Sequence, residues 1–148
     1  MSEQSEAKTS FVYWGVFFIA LAVIVLELSI TRIFSVVMYY HFAFMAISLA
    51  LLGIGIGGIW VFIFKDKFTK EKADKQLSLY SILFALAIFI MIFIFIKLKW
   101  DLFINLRTFL RVLLANLLVF IPFLFGGLTI SIALKHYSDR ISKLYFFD

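Results

Sequence analysis

The chain has 148 residues, of which 64% are hydrophobic and 20 are phenylalanine, and its mean hydropathy is +1.07. An ordinary soluble domain is roughly 45–50% apolar, so a water-soluble globular fold is excluded. The net charge of +5 sits in short stretches between apolar runs, with no basic face or recognition module, so it reads as membrane topology and excludes a nucleic-acid partner. The sequence contains no cysteine, which rules out disulfides and thiolate metal sites.

Residues 1–10 (MSEQSEAKTS) read as a short disordered cytoplasmic tail. They are no cleavable signal peptide: Lys8 stands against Glu3 and Glu6, the following apolar run is too long, and no small-residue cleavage site follows. From Phe11 to Phe64 the only ionisable side chains besides tyrosine are Glu27, Arg32 and His41. About 20 apolar residues cross a hydrocarbon core some 30 Å thick, so this run holds two crossings. The first helix is expected over about 11–33. Length alone places a turn at 34–41, where Tyr39, Tyr40 and His41 suit the headgroup layer.

The second helix, about 42–64, carries Ala43, Ala46, Ala50, Gly53 and Gly57 at spacings of three, four, three and four. These five small residues form one helical stripe, a packing seam of the kind that lets helix backbones approach each other in lipid. Gly53–Gly58 (GIGIGG) also matches the dinucleotide fingerprint. That motif needs a strand before it and a helix N-terminus at its loop, whereas here it lies deep in a membrane run, so the match is accidental. Residues 65–76 (KDKFTKEKADKQ) are the most polar stretch, and Asp66–Lys70 and Glu71–Lys75 at i,i+4 spacing allow a short surface helix.

The third helix spans about 77–96 and ends at Lys97, Lys99, Trp100 and Asp101. Residues 101–111 (DLFINLRTFLR) alternate apolar and basic faces, as an interfacial helix or a lead-in to the next span does. The fourth helix is expected over about 112–134. A kink is expected where Pro122 removes a backbone donor, with Gly126 and Gly127 one turn later. The fold class is therefore an all-α membrane protein, a bundle of four transmembrane helices. Residues 11–148 read as a single transmembrane domain that forms the first part of a larger one.

With four spans, the N-terminal tail, the 65–76 loop and the C-terminal tail share one side and hold nine Lys and Arg; the other side holds five. That asymmetry puts both termini in the cytoplasm of a bacterial or archaeal plasma membrane. The lipid bilayer is the first partner, and no cofactor or metal is expected, since His41 and His136 match no ligand spacing.

Glu27 is the informative residue, because a carboxylate on a membrane span needs a partner, water or a proton. Arg32 lies five residues on, about 140° round the helix, and so does not share its face. Counting back along an antiparallel fourth helix places Asn116 at a depth near that of Glu27. The expectation is an outer-leaflet polar cluster of Glu27, Thr31, Arg32, His41, Arg107, Arg111 and Asn116. It would act either as a structural net locking helices one, two and four, or as a site handling a substrate or proton. There is no Ser-His-acid set, carboxylate pair, phosphate loop or metal cluster, so catalysis by this chain alone is not expected.

Three segments carry a family resemblance: Glu27–Gly58, IPFLFGGLTISIAL (Ile121–Leu134) and LYFFD (Leu144–Asp148). They resemble the membrane domain of spermidine synthase-like integral membrane proteins, in which a helical bundle precedes a cytosolic aminopropyltransferase-type domain. The resemblance implies a membrane-anchoring N-terminal module whose partners are further transmembrane helices or a cytosolic catalytic domain, in the full-length protein or a neighbouring chain. The donor-binding glycines and catalytic aspartates of that family belong to the catalytic domain, and none maps onto these residues. Two other readings stay open: a transporter fragment or small transporter subunit, and a standalone four-helix scaffold. The 65–76 loop resembles the loop after helix two of major facilitator proteins at Asp66-Lys67, but Phe62 and Thr69 stand where glycines belong.

Overall fold

The structure, a computed structural model, describes residues 3–37, 41–97 and 106–137. Within these, α1 spans Glu3–Val37, α2 His41–Ile63, α3 Ala73–Lys97 and α4 Leu106–His136. No strand occurs among the described residues. All four helices are long and apolar enough to cross a membrane. The 20-residue stretch Phe44–Ile63 of α2 measures about 30 Å, the thickness of the hydrocarbon core. The longer helices exceed that and project beyond it or tilt.

Residues 3–10, read from the sequence as a disordered tail, instead continue α1 outward. Glu3, Gln4, Glu6 and Ala7 are good helix formers. α1 also runs to Val37 rather than stopping near 33. At 101–111, the described part from Leu106 on belongs to α4 as its opening turns, not to a separate interfacial helix, because no Gly or Pro interrupts the helical pattern there. Residues 101–105 lie outside the described residues. Residues 65–72 form turns and one 3₁₀ turn at Lys70–Lys72 rather than a surface helix, and residues 73–76 are already the first turn of α3, four residues ahead of the expected start.

α4 is the central element. Over its most apolar 18 residues 56% are buried, against 17% over those of α3, and α1, α2 and α3 all pack against α4. The main core joins Val23, Ile30 and Phe34 of α1, Ala46 and Ala50 of α2, Phe84 and Met91 of α3, and Val119 and Phe123 of α4. The outward faces are almost wholly apolar, with Phe62 80% and Ile96 77% exposed. Apolar area on this scale is stable only against lipid, so the chain is an integral membrane protein.

α2 and α4 run parallel and α1 antiparallel to α4. Gly53 of α2 meets Phe120–Leu124 and Gly57 meets Leu124–Leu128, so the numbers rise together. On α1, Val16 clusters with Ala133 while Val23 meets Gly126, so the numbers run oppositely. Hence the start of α1 and the end of α4 lie at the same end of the bundle.

Candidate functional site

Among the described residues the most extensive helix–helix contact is between α2 and α4. A methyl group built on Gly57 would lie 2.7 Å from the Leu128 backbone nitrogen and 2.8 Å from the Gly127 carbonyl carbon. One built on Gly53 would lie 2.7 Å from Phe123 Cβ, and one on Gly127 would lie 2.6 Å from Ile54 Cα. At these three positions backbone rests on backbone, which only glycine permits. Ala46 and Ala50 continue the same stripe and are fully buried, while the side chain of Ala43 lies outside the described residues. GIGIGG is thus interior helix, with Gly53 and Gly57 turned to α4 and Gly55 to open space.

Helix α4 continues through Pro122 without a break. Its two glycines serve different neighbours: Gly126 accommodates Val23 of α1 and the Phe84 ring of α3, and Gly127 the backbone of α2. The expected kink site is therefore also a packing site. Because proline has no N–H, the Leu118 carbonyl lacks its usual helical donor.

Glu27 stands at the margin of the buried face of α1. It lies within about 20° of Val16, Ala20 and Phe34 on the helical wheel of α1, and all three are buried; Glu27 itself is half-buried. Among the described residues no ion pair and no hydrogen bond engages its carboxylate. Thr31 does not reach the carboxylate either, since its hydroxyl donates to the Glu27 backbone carbonyl at 2.8 Å. A charge held at mid-depth costs on the order of 2.5–3.5 kcal/mol on insertion scales.

Of the described members of the expected cluster, Asn116 stands apart from Glu27. Stepping four residues out from Val23 on α1 and four back from Gly126 on α4 brings Glu27 level with Pro122. Asn116 lies six residues further, about 9 Å away along the axis, so it does not share the depth of Glu27. Nor does it share a face: it aligns with Phe123 and Gly127, which meet α2. The Asn116 amide donates to the Val112 carbonyl at 2.8 Å, and its buried Oδ1 has no partner among the described residues. Arg32 is exposed and Arg111 half-buried, and no ion pair joins either to Glu27. The side chains of His41 and Arg107 lie outside the described residues.

A second polar group, which the sequence reading did not single out, closes the opposite end of the bundle. Lys135 at the end of α4 donates to the carbonyls of Lys65 (2.8 Å) and Phe68 (3.1 Å). Gln76 donates to the Lys67 carbonyl at 2.9 Å, and the Tyr137 hydroxyl donates to the Asp74 carboxylate. Burial first, and the bond to Asp74 second, raise the Tyr137 phenol above its ordinary value. Phe68 is buried against Val61, Leu128 and Ile132 and anchors the loop in the bundle. Between α1 and α3, also toward this end, lies a cavity of about 120 Å³, whose lining includes Gly15, Ser78, Ser81 and Thr129. Ser81 and Thr129 spend their hydroxyl protons on their own helices.

Compared with known proteins, the chain matches no family model, no curated protein and no solved structure.

Proposed function

We propose that this chain is a non-catalytic membrane module that packs against further transmembrane helices and anchors a cytosolic domain. The α2–α4 seam carries the reading. Helices in backbone contact at Gly53, Gly57 and Gly127 cannot slide past one another without driving a side chain into a backbone. This favours a fixed platform over the rocking halves of a transporter. The resemblance of Glu27–Gly58, Ile121–Leu134 and Leu144–Asp148 to spermidine synthase-like membrane domains makes an aminopropyltransferase-type domain the cargo.

The nine-to-five distribution of Lys and Arg supports placing both ends in the cytoplasm of a bacterial or archaeal plasma membrane. The test is a reporter pair fused after Asp148, one member active only in the cytoplasm and the other only outside it. Cytoplasmic activity is expected. Activity outside ends the anchor reading, since a cytosolic domain cannot be held from that end.

A further inference from the structure

Phe34 of α1 and Phe95 of α3 stack with ring centroids 5.8 Å apart. The two helices are parallel, since each is antiparallel to α4: Val23 of α1 and Phe84 of α3 both meet Gly126. Stepping back one heptad from the stack on both helices places Glu27 opposite Ile88, a side chain that cannot donate a hydrogen bond. Behind them, at the same depth, α4 contributes Pro122, which removes a donor instead of adding one. Glu27 is half-buried and stands at the margin of the buried face of α1. Beside it on α1, about 60° and 100° round the helix, lie lipid-facing Ile24 and Leu28, 52% and 63% exposed.

We infer that this margin of α1, with Glu27 beside Ile24 and Leu28, is the docking position of a further transmembrane helix carrying one basic residue, lysine or arginine, at the depth of Glu27. The inference rests on the reading of the chain as a module that packs against other helices. Charge complementarity selects the occupant. Lipid tails offer no donor, and Arg32 of the same helix is exposed and about 140° round from Glu27. A helix alone brings both an apolar surface for the flanks and a cation fixed in depth. Intramembrane acids characteristically pair in this way.

The test uses the full chain in bilayers of neutral phosphatidylcholine with a labelled leucine-alanine helix of about 20 residues, bearing either lysine or leucine at its centre. Energy transfer reports association. The lysine helix should bind wild type about tenfold more tightly than the leucine helix. That preference should vanish in Glu27→Gln and survive in part in Glu27→Asp. Thermal unfolding of the variants confirms that they are folded, and should Glu27→Gln fail to fold, the comparison of the two peptides on wild type stands alone. Equal binding of both peptides overturns the inference, as does self-association of the chain that is lost in Glu27→Gln, which would make a second copy the occupant. The topology reporter decides the anchor reading independently, so failure of one is not failure of the other.

Discussion

The two sides of α4 are built on opposite rules. Toward α2, three glycines bring backbone to backbone. Toward α1 and α3, side chains set the spacing, and those two helices meet at a phenylalanine stack while leaving a cavity between them. In water the hydrophobic effect would press both sides shut. In lipid it contributes nothing between helices, so packing decides, and helices close fully only where a missing Cβ lets them. The glycine side is therefore a fixed seam, and the other side is where the molecule has room for something else.

The largest effect should come from adding one methyl group to the seam. Gly127→Ala places a carbon 2.6 Å from the Ile54 backbone, and Gly57→Ala places one 2.7 Å from that of Leu128. Neither obstacle can rotate away, so the helices must separate. Overpacking of this kind costs typically 1–3 kcal/mol, occasionally more. Detergent-titrated unfolding followed by circular dichroism should give such a loss for both. Gly15→Ala and Gly55→Ala meet nothing within 4 Å and should be neutral or stabilising by about 0.5–1 kcal/mol from helix propensity. Equal damage from all four would mean that the seam is not special.

Gly126 sharpens the comparison because it adjoins Gly127 in sequence yet faces the other side. Its added methyl would sit 2.8 Å from Val23 Cγ2 and 3.4 Å from the Phe84 ring, both side-chain atoms. Gly126→Ala should therefore cost about 1 kcal/mol, at the lower end of overpacking. Trimming Val23→Ala in the same chain should recover part of the loss. No side-chain trimming should rescue Gly127→Ala. A rescue there, or none at Gly126, would erase the distinction between the two faces.

These contrasts separate what the sequence exposes from what it hides. The four spans and the stripe through Ala46, Ala50, Gly53 and Gly57 are legible because both are periodic and local, one set by hydropathy and the other by size. The identity of the stripe's partner is not local. Nothing in the one-dimensional pattern says that α4, rather than α1 or α3, lies against it. Residues 3–10 misled for a different reason: polarity marks where lipid ends, and a helix need not end there. The proposed cluster around Glu27 depended on comparing depths across helices by counting from assumed ends. Both ends were placed short, α1 by about four residues and α4 by about six, so those errors nearly cancel; what no count along the chain reveals is the stagger between the two helices. The clasp of Lys135 and Tyr137 escaped because single polar residues at helix ends carry no pattern.

The smallest predicted effect tests how α3, the least buried helix, is held at its start. Tyr137 ties the end of α4 to Asp74 in the first turn of α3. Tyr137→Phe keeps the ring and removes only this hydrogen bond. The net loss should be about 0.5–1.5 kcal/mol, toward the lower figure because the pair is partly open to solvent. The pH dependence shows that the hydroxyl, rather than the ring, is what the substitution removes. Folding raises the phenol above its ordinary value, so the folded state holds the proton more tightly than the unfolded chain does. The stabilisation is then fully present below about pH 10, the unfolded value, and is lost as pH rises through the higher folded value. The difference in unfolding free energy between wild type and Tyr137→Phe should thus stay level from pH 7 to about 10 and shrink above it. A difference already gone at pH 9 would mean that the hydroxyl does not hold α3, and that the aromatic packing of Tyr80 on Phe125 and of Phe84 on Gly126 suffices.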